Sequence, residues 1–280
     1  MGRHAVLVMG PAGAGKSTLC AALMTHLQTV GRTAHLVNLD PAAEEFEYSP
    51  TIDIRDLISL EDAMSELQYG PNGGLIYCYE FLLSNLDWLD SELGDYDEDF
   101  LIIDCPGQIE LYTHFPYMQR LCSHLTQHHG FRVCGLYLLD AQFLPDPAKY
   151  FSGVMTAVSA MVGLNIPFLN LLTKMDIAKR SMNIRDITPY LDPTTALLYD
   201  QSVADDDSLG FGVPMRSEKF RNLTEAIAGI VDNQSLVRFL PIDLTKDESL
   251  EELVLHVDIA TQFDEDREPH EPEDEGPEQQ

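Results

Sequence analysis

Residues 4–18 read HAVLVMGPAGAGKST. The first six, apolar after His4, make a strand without a polar face. The next nine set Gly10, Gly15, Lys16 and Ser17 at the spacing G-x-x-x-x-G-K-[ST], between a strand and a helix as that spacing requires. Around Gly10, Gly13, Ala14 and Gly15 the backbone can curl so that successive N–H groups face an anion. The helix opening at Lys16, Ser17 and Thr18 adds its N-terminal dipole. Lys16 supplies a point charge for β- and γ-phosphates, and Ser17 a hydroxyl ligand for Mg²⁺.

Outward from this stretch, short apolar runs alternate with segments of helical period. TAHLVNL, DFLIID, VCGLYLLD, IPFLNLLT and LVRFLPI are further strands, and helices are predicted over 17–30, 110–128, 147–163, 216–232 and 247–262. Strands apolar on both faces belong to a parallel sheet between helical layers, so the fold class is α/β, doubly wound and mainly parallel. Residues 177–215, with DITPYLDPTT and ADDDSLGFGVP, interrupt the rhythm and read as a small helical insertion in one domain over 1–262.

Formal net charge is −29. Such a chain repels phosphate polymers and acidic lipid, which argues against nucleic acid or a membrane as a partner. The longest apolar run, GGLIYCYEFLL, is broken by Glu80 and too short to span a bilayer. Five cysteines without C-x-x-C or zinc spacing indicate a reducing, cytoplasmic compartment. Nothing at the N-terminus reads as a leader, so the protein is expected to start near Met1. Segment 263–280 is an acidic tail expected to be disordered; from 264 on it holds nine acids, three prolines and no aliphatic residue.

FLIIDCPGQIE, residues 100–110, ends a buried strand at Asp104, where a second metal-side carboxylate belongs. The Pro-Gly corner lets the Gly107 N–H approach a γ-phosphate, and Gln108 can orient an attacking water. Asp40, ending HLVNLD, stands at the metal or water, or is a turn acid before Pro41. LNLLTKMD sets Thr173, Lys174 and Asp176 after another strand. A carboxylate at 176 can accept from N1–H and the 2-amino group of guanine, which adenine lacks, and the Lys174 stem can pack on the ring. GTP/GDP with Mg²⁺ is therefore favoured over ATP. Thr173 replaces the more usual Asn, and a weaker hold on guanine is expected. In VRFLPID, backbone N–H groups around Leu240 and Pro241 are either base contacts or a plain strand exit.

YGPNGG, residues 69–74, reads by itself as a surface turn with Asn at positive φ. Together with NLDPAAEEFEY, DIRDLI, LDWL, DCPGQIELYTH, RVCGLYLLDAQF, TKMD and VRFLPID, however, it makes the chain resemble the GPN-loop GTPases over about residues 3–262, and among them the third eukaryotic paralogue. The resemblance implies a SIMIBI-like P-loop fold and a dimer. Gly70, Pro71 and Asn72 would reach into the partner subunit's phosphate site, so that Asn72 acts in trans beside Asp40, Asp104 and Gln108, with Ser17, Asp40 and Asp104 around the metal. It further implies a heterodimer with the first paralogue or a homodimer, and a role in assembly and nuclear import of RNA polymerase II. No basic cluster resembles a nuclear import signal, so nuclear entry would need a partner. With no arginine in the signature loops positioned to act as a finger in cis, turnover should be slow. Two rivals stand beside this reading. One is a small-molecule P-loop kinase, disfavoured because the eleven arginines form no lid cluster. The other is a non-hydrolysing scaffold, disfavoured by Asp104 and Gln108.

Overall fold

The computed structural model describes residues 2–43, 49–94, 100–181, 184–193 and 237–263. Beyond residue 193 the insertion, with the helix predicted at 216–232 and the tail from 264, lies outside the described residues.

Strands β1 (Arg3–Met9), β2 (Ala34–Asn38), β3 (Ile52–Asp53), β4 (Phe100–Asp104), β5 (Phe131–Asp140), β6 (Phe168–Thr173) and β7 (Phe239–Pro241) form one sheet in the order β3-β2-β4-β1-β5-β6-β7. Every pairing is parallel. Six of these strands match the apolar runs of the sequence. β3 was not predicted, because two residues after Pro50 carry no periodicity.

Alternation along each strand divides the core. Ala5, Leu7, Met9, Leu101, Ile103, Val133 and Tyr137 face one layer; Val6, Val8, Phe100, Ile102, Cys134, Leu136 and Leu138 face the other. The second layer is closed by α1 (Lys16–Thr29) and α11 (Asp247–Thr261). Over the first pack α4 (Pro71–Ser84), α5 (Leu86–Leu93), α6 (Glu110–Thr113), α7 (Tyr117–Gln127) and α8 (Pro147–Leu164). The single helix predicted over 110–128 is two, separated at Pro116, which caps α7. Short helices α2 (Ile54–Leu57) and α3 (Leu60–Leu67) precede α4, while α9 (Met175–Ser181) and α10 (Ile184–Leu191) form the described first part of the insertion. Trp88 packs against the first core layer. Phe263, assigned by sequence to the tail, instead meets His4 edge to face at 4.8 Å and lies 4.3 Å under the Arg32 guanidinium.

The reading of YGPNGG as a turn with Asn at positive φ is corrected. The left-handed residue is Gln68 (φ 55), which ends α3. Gly70 is the N-cap of α4, Pro71 opens the helix, and Asn72 lies in its first turn. Proline suits that position because its missing N–H would have no helical partner there and its fixed φ is already helical. Gly74 is needed where α4 crosses α3: a Cβ there would stand 2.7 Å from Leu60 Cδ1 and 3.3 Å from Met64 Cγ.

Candidate nucleotide site

The C-terminal ends of β1, β2, β4 and β6 bring the sequence motifs to one edge of the sheet, where open α/β sheets bind ligands. Gly10 leaves β1 at φ 141, and a Cβ on it would fall 2.5 Å from the Leu138 carbonyl of β5. Gly13 and Gly15 are also at positive φ (77 and 92), and Gly15 caps α1. Only a residue without a Cβ takes these conformations cheaply. Lys16 is buried, its Nζ 3.4 Å from the Pro11 carbonyl, so the ammonium is folded over the loop it serves.

Asp104 lies at the end of β4, 2% exposed. It accepts a hydrogen bond from the Ser17 hydroxyl, while its Oδ1 has no partner among the described residues. Burial raises its pKa to about 6, the bond from Ser17 and the charge of Lys16 pull it down, and nearby Asp40 adds to the rise. Asp40 is likewise raised, chiefly by desolvation, against the opposing Ala42 N–H and the charges of Lys16 and Arg55. Two carboxylates that resist ionisation, one of them keeping an orphaned buried oxygen and interacting with the Ser17 hydroxyl, fit a divalent cation. That donor set is the predicted Ser17, Asp40 and Asp104.

The loop carrying Asp40 is braced by residues the sequence reading did not single out. Buried Asn38 accepts from the Asp40 N–H at 2.9 Å through Oδ1 and donates through Nδ2 to Asp53 Oδ1 at 2.8 Å. Arg55 clasps Asp53, with Nη2 2.6 Å from Oδ2 and Nε 3.0 Å from both oxygens, and donates to the Ala43 carbonyl. Asn38 was visible as the one polar residue near the end of an apolar run. Tyr79, from the middle of α4, donates to the Leu39 carbonyl at 2.8 Å.

At the switch turn, Gly107 sits against the phosphate loop; a Cβ there would be 3.0 Å from Ala12 Cα. Tyr112 donates to the Pro106 carbonyl. Gln108 Nε2 donates to Asn72 Oδ1 at 3.2 Å within the same chain. Asn72 and its neighbours Gly70 and Pro71 are exposed, beside Leu67 and Tyr69 at 40% and 47% exposure.

At the base end, Thr173 Oγ1 donates to the Ala14 carbonyl at 2.8 Å and lies 3.3 Å from that of Leu139. Its hydroxyl therefore ties β6 to the phosphate loop. Lys174 has a left-handed backbone (φ 58) and an ion pair with Asp140, 2.7 Å from Nζ to Oδ2. Asp176 stands half-buried in the first turn of α9. Leu240 and Pro241 lie inside β7 opposite Leu171 and Leu172. Proline has no N–H, so Pro241 has none to offer a base; it ends β7, and Asp243 two residues on pairs with Lys179 at 3.0 Å.

The family description "conserved hypothetical ATP binding protein" matches residues 8–263. Relatives named GPN-loop GTPase 3 are 52% identical in Mycosarcoma maydis, over 98% of this chain and 97% of theirs, and 48% identical in Saccharomyces cerevisiae, over 98% of each. The chain belongs to the GPN-loop GTPases. A GTPase from Pyrococcus abyssi, crystallised in apo form, shares the fold with a TM-score of 0.73 at 23% identity, covering 92% of this chain and 97% of that one. Within this GPN-loop family member, the phosphate loop, the switch turn and the Gly-Pro-Asn turn lie together in one chain. Among the described residues no helix is long and apolar enough to cross a membrane.

Proposed function

We propose that this chain binds GTP with Mg²⁺ and hydrolyses it slowly to GDP and phosphate, as a switch working in a dimer. The observation that carries this reading is buried Asp104, which keeps one orphaned oxygen and feels both the Ser17 hydroxyl and the Lys16 charge at the end of a glycine loop. Loop amides and Lys16 would hold the phosphates, and Asp176 would accept from guanine N1–H and its amino group. Ser17, Asp104 and Asp40 would hold the magnesium, whose contribution when bound is to offset charge on the phosphate oxygens. Gln108 would orient the water that attacks the γ-phosphorus as the bond to the β–γ bridging oxygen breaks.

Slow turnover follows from the cations at hand. Arg55 is close enough to act electrostatically on Asp40, yet its guanidinium is occupied by Asp53 and Ala43. An arginine finger is worth ~10³–10⁵ in rate, and an asparagine in trans is a weaker substitute. Exposed Leu67 and Tyr69 beside Asn72 suit a second GPN-loop subunit against this face, either a copy of this chain or a paralogue. The polymerase II assembly role, and nuclear entry with a partner from the cytoplasm, belong to the same reading and rest on the family resemblance.

Calorimetric titration tests the core of it. The wild-type chain should bind Mg²⁺–GTP and Mg²⁺–GDP in preference to Mg²⁺–ATP, and Lys16→Ala should bind none measurably. Preference for ATP, or unchanged affinity in Lys16→Ala, overturns the proposal.

A further inference from the structure

Near the N-terminal end of β5, Asp90 of α5 meets two histidines. His124 Nε2 lies 2.6 Å and His129 Nε2 2.7 Å from the same oxygen, Asp90 Oδ1. His124 is in the last turn of α7; His129 follows that helix, just before Gly130 (φ 69) turns the chain into β5. Their side chains are 11% and 14% exposed, and Asp90 is 35% exposed, so the group is sheltered and still reachable from solvent. The imidazoles meet edge to face at 5.5 Å, and exposed His128 stacks on His124 at 4.7 Å. Arg3 donates to the Leu93 and Gly94 carbonyls at the end of α5 and lies over the Phe131 ring.

We propose that Asp90, His124 and His129 form a binding site for a divalent d-block ion of the zinc class, separate from the nucleotide site. Three ligand atoms from two helices and a turn lie within 4.8 Å of one another. Two N–H donors on one carboxylate oxygen mark the point at which an ion would sit, replacing two protons. Each imidazole would turn over its Nε2 lone pair, either releasing that proton or moving it to Nδ1. With metal–ligand bonds of about 2.0–2.1 Å, tetrahedral ligands stand roughly 3.3 Å apart, so the two His–Asp contacts would open by ~0.6 Å while the two ring nitrogens close onto the ion. Two imidazoles and one carboxylate suit zinc, nickel or copper; magnesium and calcium prefer all-oxygen sets. The ligand set leaves a fourth position for water. A chain at −29 also concentrates divalent cations around itself.

The bound ion would join α5 to the end of α7. The first of these helices follows the one that begins at the Gly-Pro-Asn turn, and the second follows the switch turn. A metal here would thus brace two elements that lead away from the nucleotide.

The test uses the full chain with its nucleotide site saturated by excess Mg²⁺–GDP, which also occupies weak oxygen sites. Zn²⁺ is titrated in competition with a chromophoric chelator. The wild type should take up one more tight equivalent than the double variant His124→Asn/His129→Asn. Asp90→Asn should weaken that equivalent by about tenfold or more, since even outer-shell losses cost ~10–100-fold. Equal stoichiometry and affinity in wild type and double variant would overturn the site. A reading that needs no variant is anomalous scattering from wild-type crystals soaked in Zn²⁺: a peak between Asp90, His124 and His129 supports the site, and peaks only elsewhere refute it.

Discussion

Gln108 Nε2 donates to Asn72 Oδ1 across 3.2 Å, joining the residue that would orient water to the third residue of the Gly-Pro-Asn turn. One bond thus links the switch to the element expected to serve a partner subunit. Gln108→Leu should keep GTP bound while slowing single-turnover hydrolysis about 10²-fold or more, and Asn72→Ala should slow it less. If the pair acts as a unit, the double variant is no slower than Gln108→Leu alone. Independent, multiplicative losses in a rapid-quench assay would separate the two residues. Mixing Asn72→Ala with Lys16→Ala subunits then locates the action of Asn72; rates indifferent to the partner's genotype rule out a role in trans.

Asp104 carries a cost that depends on pH. Its folded pKa of about 6 exceeds the ordinary 3.8, so between these values the folded chain keeps a proton that the unfolded chain has lost. Stability is unaffected below pH 3.8, falls as pH rises toward 6, and at pH 7 bears the full penalty, on the order of 3 kcal/mol. Stripped of nucleotide and metal, Asp104→Asn should melt above the wild type at pH 7 and level with it near pH 4. In Mg²⁺–GDP the order should reverse. A gap equal at both pH values in differential scanning calorimetry would show that charge burial is not its source.

Thr173 and Asp176 should separate experimentally. The Thr173 hydroxyl holds the phosphate loop through the Ala14 carbonyl, so Thr173→Val should weaken GTP and ATP alike, by about 1 kcal/mol. Asp176→Ala should lower GTP affinity while leaving ATP nearly untouched, narrowing the preference. Fluorescent-nucleotide competition measures both; a base-selective loss in Thr173→Val would mean that its hydroxyl reads the base.

Gly10→Ala tests the close approach of the phosphate loop to β5. The new methyl would stand 2.5 Å from a backbone carbonyl at φ 141, and neither the strand nor the conformation yields cheaply. A loss of about 2 kcal/mol or more in urea denaturation is expected. Gly13→Ala, with positive φ but open space, should cost less. Equal costs would mean that the contact with Leu138 contributes nothing.

The sheet was legible because strands such as Val6–Met9 and Ile102–Asp104 are buried on both sides and leave an uninterrupted apolar record. Motif residues at strand ends, Lys16, Asp104 and Asp176, inherited their positions from that record. β3 escaped because a two-residue strand has no period, and the α6–α7 break escaped because Pro116 was read as part of one helix. The start of α4 was misread although Pro71 signalled it: proline serves turns and first helical turns alike, and the choice depends on the apolar periodicity that follows. The brace of Asn38, Asp53 and Arg55 joins residues 15 and 2 apart through a two-residue strand pairing. Spacing along the chain does not encode such a contact; only the sheet register creates it.

Tyr79 fixes the middle of α4 to the Leu39 carbonyl, one residue before Asp40, while the same helix begins at the exposed Gly-Pro-Asn end. A rigid rod held at its midpoint acts as a lever. Pressure on its tip from a neighbouring molecule would turn it about that point and load the Leu39 carbonyl, next to Asp40. In a two-subunit assembly, each pocket would then register the occupancy of the other through a single tyrosine hydroxyl, with no need for the sheet to deform.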